Sequence, residues 1–187
     1  ARLGVMEVAG VFDDAASPRA CGMLGVARLG GLREAGGGSP GPGLVLALGA
    51  LPLRRSLIAG LPRDRLVSVV APGGWAGVVP GASVGRGVFI APGAVVQAFA
   101  AIADHAIINT GAIVEHDCRV GENAHIAPGA VIGGGAEVGA DALIGLGARV
   151  MPGVRIGAAC IIGAGAVVTS DVEAGRTAAG VPARVMQ

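Results

Sequence analysis

Residues 108–132 read INTGAI VEHDCR VGENAH IAPGAV I, and each six-residue block opens on Val or Ile. The rule runs without a gap through Val78, Val84, Ile90, Val96 and Ile102 on one side. On the other it continues through Val138, Ile144, Val150, Ile156, Ile162 and Val168. Four residues after each anchor the side chain is nearly always small, as at Ala94, Ala112, Cys118, Ala130, Ala148, Cys160 and Ala166; Val88 and Val154 are the bulkiest. A period of six matches neither the 3.6 of a helix nor the 2 of a simple strand, and it marks hexapeptide β-helix repeats. Three hexads make one triangular coil, so 78–167 supplies five coils. The Val or Ile fills the coil interior, the small residue lets the chain turn a corner, and Gly and Pro in stretches such as APGA and MPGV serve the turns.

Composition narrows the function. The net charge of +1, the 2% aromatic content and the absence of Tyr leave neither the basic stripe nor the stacking platforms of a nucleic-acid binder. All 14 basic residues are Arg, which removes a Lys Schiff base, a phosphate-loop Lys and a Lys general base. Cys21, Cys118 and Cys160 are odd in number and widely spaced, so they form neither a disulfide framework nor a CxxC metal pair, and a cytoplasmic setting is expected. Cys118 and Cys160 fall at the small inward positions and read as packing residues. The longest uncharged run, 87–103, carries the hexad repeat and Pro92, so no membrane span is expected.

The first 77 residues lack the period. EVAGVF (7–12) is an apolar run ending in Asp13-Asp14, ARLGGLREAG (27–36) has helical spacing with a glycine stop, and GGGSPGPG (36–43) is a turn-rich linker. LVLALG (44–49) reads as a buried strand, PLRRSLIAGL (52–61) as a helix with Pro52 near its first turn, and RLVSVV (65–70) as a strand. Alternating strand and helix imply a small parallel α/β unit over 1–74, ahead of a β-helix domain with a C-terminal cap over 75–187. About 20 to 30 residues, a strand, a glycine turn and most of a helix, are expected to precede Ala1.

The combination of VAGVFDD (8–14), LVLALG followed by Arg54 and Arg55, residues 108–135, IGAGAVVTSDVEAG (162–175) and GVPAR (180–184) resembles the hexapeptide-repeat acetyltransferases that modify sugars for surface glycans. That family includes bacillosamine-pathway UDP-4-amino-sugar and perosamine N-acetyltransferases and the sialic acid O-acetyltransferases. The resemblance implies a left-handed parallel β-helix behind a Rossmann-like nucleotide-sugar domain, a homotrimer with sites between subunits, and acetyl-CoA as acetyl donor. It places the base at His116 with Asp117 in support, His125 at the acetyl-CoA thioester, and further CoA contacts near Gly134, Leu146 and Ala164. Relatives often carry a polar residue where Ala50 stands and a histidine where Ala71 stands.

The residues support this chemistry independently. His116 lies two positions after the inward Val114, so it points away from the interior, and an adjacent carboxylate fixes the tautomer of an imidazole and stabilises its protonated form. His125 lies nine residues on, half a coil away, which predicts that the two histidines meet across a subunit interface. Gly134 is one coil after His116 and stacks beside it, where a bare backbone N–H can polarise a carbonyl and leave room for an acetyl group. His105 falls at another coil position and reads as structural or exposed. Spacings of 11 and 9 between the histidines lack the HxxxxH pair of β-helical carbonic anhydrases, so no metal is expected. Asp13 and Asp14 follow a strand and are candidates to accept hydroxyl hydrogen bonds from a nucleotide sugar; Asn109 is a further substrate-binding candidate. The resulting expectation is N-acetylation of a nucleotide-linked amino sugar. Its rivals are O-acetylation of a glycan hydroxyl and a catalytically silent trimeric sugar-nucleotide scaffold.

Overall fold

The computed structural model describes residues 2–3, 6–14, 21, 25–35, 37, 41–71 and 77–186. From Gly77 each hexad forms a two-residue strand ending in its Val or Ile anchor, such as Ile113–Val114, Arg119–Val120 and His125–Ile126, and then a four-residue turn. Alternation along the strand sends the anchor inward and its predecessor outward. Val114, Ile126 and Ile132 are accordingly buried, and Arg119 and Glu137 are exposed. Each strand pairs in parallel with the strand one coil on, so like stacks on like: Ile108 on Ile126 on Ile144 on Ile162, and Val114 on Ile132 on Val150 on Val168. Fully burying one such side chain contributes about 1.5–3 kcal/mol, and the stacked columns form one continuous core.

The result is a parallel β-solenoid with sheets of eight, six and five strands, which fits a left-handed β-helix of hexapeptide repeats. The eight-stranded sheet begins at Val69–Val70, ahead of position 75, and ends with the antiparallel pair Thr177–Gly180 and Ala183–Val185. At the corners the third residue after each anchor from Val78 to Ile162 takes positive φ, for example Asp117 at 61°, Asn123 at 56° and Gly135 at 67°. Gly, Asn and Asp tolerate that conformation, which explains the recurring APGA, GENA and EHDC turns. The next residue, Ala112, Cys118, Ala124 or Ala130, is buried inside the corner. Cys118 and Cys160 are packed there, their thiols directed at the carbonyls of Gly133 (3.1 Å) and Glu173 (3.0 Å).

The N-terminal part departs from the sequence expectation. The helix expected over 27–36 is a strand, Ala27–Gly30, parallel to Gly10–Phe12, followed by a short 3-10 turn at Leu32–Glu34. Three glycines in that window weaken a helix. The Asp14 carboxylate instead accepts the Leu32 N–H (2.9 Å), and Glu34 accepts that of Gly31 (3.2 Å). The strand expected over 44–49 reduces to a single bridge, Leu44 to Leu66. Residues 65–70 divide between the 3-10 turn Arg63–Arg65, that bridge and the solenoid strand Val69–Val70. The helix is present at Leu51–Ile58, with Pro52 in its first turn.

Two adjacent arginines dock this helix on the solenoid. Arg54 is fully buried and donates to Asn123 Oδ1 (2.9 Å) and to the carbonyls of Leu46 (2.7 Å), Leu48 (3.2 Å) and His105. The Leu46 and Leu48 carbonyls are thus partnered by a side chain. Burial lowers the Arg54 pKa to about 10. Arg55 binds both oxygens of Asp141 (2.9 and 2.8 Å) and Glu122 (2.8 Å). Burial opposes ionisation of Asp141, yet Arg55 and the Asn123 amide hold its carboxyl below the usual range. Among the described residues no helix is long and apolar enough to cross a membrane.

Candidate active site

His116 occupies the turn between Ile113–Val114 and Arg119–Val120, and its side chain is exposed. Asp117, at the left-handed corner position, places Oδ2 2.8 Å from His116 Nδ1. A carboxylate only accepts, so Nδ1 carries the proton in the neutral imidazole and Nε2 presents its lone pair. The solenoid register sets Gly134 under the ring: a Cβ there would lie 2.8 Å from both His116 Cε1 and Nε2. The bare position therefore makes room for the imidazole itself. The Gly135 N–H donates to the His116 carbonyl at 2.9 Å, locking the two coils, and the Gly134 N–H has no backbone acceptor among the described residues.

His125 opens the strand His125–Ile126 of the eight-stranded sheet and faces outward, between Ile107 and Leu143. The Thr110 N–H donates to Asn109 Oδ1 at 2.8 Å and so orients that amide; Asn109 Nδ2 then lies 3.1 Å from His125 Nε2. Nε2 is thus an acceptor, and the proton sits on Nδ1, a buried nitrogen that makes no well-formed hydrogen bond among the described residues. Burial first, and the Arg54 charge second, push the His125 pKa below the ordinary imidazole value, partly offset by the Gly49 backbone. His105 is buried, and burial lowers its pKa as well; it serves the docking of Arg54 through its carbonyl.

Within one chain the candidate residues form two groups. His116, Asp117 and Gly134 share the corner joining the six- and five-stranded sheets. Asn109, Leu146 and Ala164 share the corner joining the eight- and six-stranded sheets, next to His125. Leu146 and Ala164 are one coil apart, coupled through the Gly165 N–H to Leu146 carbonyl bond of 2.7 Å, and Leu146 is 59% exposed. Asp13 and Asp14 close the N-terminal parallel pair; the Asp13 carbonyl accepts from Arg28 (2.9 Å) and the Asp14 carboxylate caps Leu32. Sequence reasoning missed Arg54 and Asn123, whose only signal was the adjacent Arg pair. A groove of about 890 Å³ follows the five-stranded sheet past Arg119, Glu137, Arg155 and Asp171, but it includes neither His116 nor His125. Its charges pair among themselves, Arg155 with Asp171 at 3.1 Å.

The bacterial transferase hexapeptide (six repeats) family matches residues 99–134 and 135–170. No curated protein is significantly similar to the chain. Among solved structures, PerB from Caulobacter crescentus, in complex with CoA and GDP-perosamine, is 41% identical over 88% of this chain and 80% of its own, with a TM-score of 0.78. The acetyltransferase domain of PglB from Neisseria gonorrhoeae, in complex with acetyl coenzyme A, is 32% identical over 94% and 84%, with a TM-score of 0.82. WeeI from Acinetobacter baumannii is 27% identical over 87% and 79%, with a TM-score of 0.77. With its hexad solenoid, its His116–Asp117 corner and these relatives, the chain belongs to the hexapeptide-repeat sugar acetyltransferase family.

Proposed function

We propose that this protein transfers the acetyl group of acetyl-CoA to the amine of a nucleotide-linked amino sugar. The observation that carries the reading is the His116–Asp117 pair, whose geometry leaves Nε2 as an exposed base. The amine attacks the thioester carbonyl, a C–N bond forms and the C–S bond breaks. His116 Nε2 takes the amine proton, which then passes to the departing CoA thiolate. Similarity to a protein solved with CoA and GDP-perosamine and to an acetyl coenzyme A complex supports both substrates.

His125 Nε2 accepts one amide hydrogen of Asn109, so the second amide hydrogen and the Gly134 N–H are the donors available to polarise the acetyl carbonyl. Leu146 and Ala164 line the path of CoA. The two groups of residues lie at different corners of one chain, and a left-handed solenoid trimer would bring His116 of one chain to His125 of its neighbour. The N-terminal residues, with Asp13 and Asp14, belong to a Rossmann-like unit for the nucleotide, and the setting is cytoplasmic glycan biosynthesis. The test is CoA thiol release by the purified protein with a panel of UDP- and GDP-linked amino sugars and their hydroxyl analogues. Release with the amino sugars is expected. Release with hydroxyl acceptors alone would replace the reading by O-acetylation, and silence throughout would leave a binding scaffold.

A further inference from the structure

Docking of the helix on the solenoid does not by itself call for Arg54. The next residue, Arg55, already joins the same helix to Asp141 and Glu122 through half-exposed ion pairs. Burying a guanidinium with no carboxylate beside it is costly, yet Arg54 is fully buried and its side chain donates to four neutral oxygens instead.

The position of those oxygens points to a use. Nη1 donates to the Leu46 and Leu48 carbonyls, and the Arg54 backbone N–H donates to that of Ala50 at 2.9 Å. Carbonyls alternate in direction along an extended chain, so with those of 46, 48 and 50 turned to Arg54, that of Gly49 is turned away. It faces His125. The Gly49 backbone raises the pKa of that imidazole, as a carbonyl accepting its proton does and an N–H would not. Nδ1 is the nitrogen concerned, because Nε2 is taken by the Asn109 amide. The approach is looser than a full hydrogen bond, and no other partner reaches the buried Nδ1 among the described residues. At its other end the guanidinium donates to Asn123 Oδ1 (2.9 Å) and the His105 carbonyl, and Asn123 stands two residues before His125 on the same coil. Arg54 therefore holds the 46–50 segment and the coil that carries His125 in one frame.

Resting on the acetyltransferase reading above, we infer that Arg54 is a positioning residue of the acetyl-transfer site, acting through the Gly49 carbonyl to hold His125 in the tautomer with its proton on Nδ1. In that tautomer Nε2 accepts from Asn109, whose Oδ1 is fixed by the Thr110 N–H, and the second amide hydrogen is left for the acetyl carbonyl. A proton on Nε2 would set donor against donor and turn the amide away. Arg54 itself touches neither substrate.

The experiment reads the imidazole nitrogens of the full chain by nitrogen NMR with labelled histidine at mildly alkaline pH, the His125 signals being assigned by their loss in His125→Gln. Wild type should show the proton on Nδ1 and a bare Nε2. Arg54→Lys keeps the charge but lacks the planar fork that reaches all four oxygens, so it should mix in the Nε2-protonated form. Loss of an oxyanion donor costs about 10²- to 10³-fold, so misdirecting one should lower kcat about tenfold or more, with acetyl-CoA KM within about threefold. Asn123→Gly suits the φ of 56° there, removes the acceptor of Arg54 Nε and should move the spectrum the same way, so the test survives a folding failure of Arg54→Lys. Arg55→Met loosens the same helix without touching 46–50 through its side chain, and should leave tautomer and kcat at wild-type values. Wild type protonated on Nε2 would overturn the inference, as would a wild-type spectrum in whichever of Arg54→Lys and Asn123→Gly folds. Arg55→Met reproducing the Arg54→Lys changes would also overturn it, reducing Arg54 to docking. The spectra need no substrate, so wild type inactive on every amino sugar would refute the acetyltransferase reading while the Arg54 result remained readable.

Discussion

Substituting alanine for Gly134 isolates the placement of the base from its identity. Gly134 does not have positive φ, so its backbone accepts alanine without strain, and the replacement should change stability by no more than a gain of about 0.4–1 kcal/mol. The new methyl, however, would lie 2.8 Å from His116 Cε1 and Nε2. Restoring an ordinary carbon contact of about 3.5 Å moves the imidazole by roughly 0.7 Å. His116 is exposed and yields easily, so the cost falls on geometry and not on folding. The movement also strains or breaks the 2.8 Å contact between Nδ1 and Asp117 that fixes the tautomer. Misplacement of a reacting group by about 1 Å can cost on the order of 100-fold, so turnover should fall about 10- to 100-fold. The assay is CoA thiol release at saturating substrates, with acetyl-CoA affinity from calorimetry and the thermal midpoint as controls. Turnover within about twofold of wild type, with the fold intact, would show that catalysis does not depend on the seat that Gly134 provides.

His116→Ala should lower turnover about 10²- to 10⁴-fold while acetyl-CoA still binds; near-normal turnover would rule out His116 as base. Refolding inactive His116→Ala together with inactive His125→Ala should recover part of the wild-type activity, because mixed assemblies contain sites with both histidines intact. No recovery in confirmed mixed assemblies would mean that both act from one chain. Arg54→Met leaves Asn123 Oδ1, the buried His105 carbonyl and the part-buried Leu46 and Leu48 carbonyls without their donor, so the denaturant midpoint should report a loss on the order of 3 kcal/mol; a loss under about 1 kcal/mol would contradict the docking role. His105 and His125 both have folded pKa values below the unfolded value of about 6.5. Below that pH the unfolded chain takes up protons the folded chain refuses, so the thermal midpoint should be full above pH 6.5 and decline as pH falls toward the folded values. His105→Gln should flatten the decline, and a midpoint that rises on acidification would show the sign to be wrong.

The hexads alone determined the solenoid, because its code is short-ranged: one β-branched residue in six, a turn-former at the corner and a small residue after it suffice to set strand, face and register. The same period placed Gly134 against His116 and put His125 on another face, since residues at multiples of one coil must stack. The N-terminal part carries no such period. There a three-glycine window read as a helix became the strand Ala27–Gly30, because its hydrogen-bond partners lie on Gly10–Phe12, many residues earlier. The burial of Arg54 was equally illegible, since its partner Asn123 is 69 residues away and is brought near only when the helix docks on the finished coil. Asn109 and His125 are one coil less two residues apart, yet their hydrogen bond and the tautomer it dictates depend on a side-chain orientation set by the Thr110 N–H. Periodicity decides which backbone positions stack; only packed side chains decide which atom of a histidine holds its proton and which offers its lone pair.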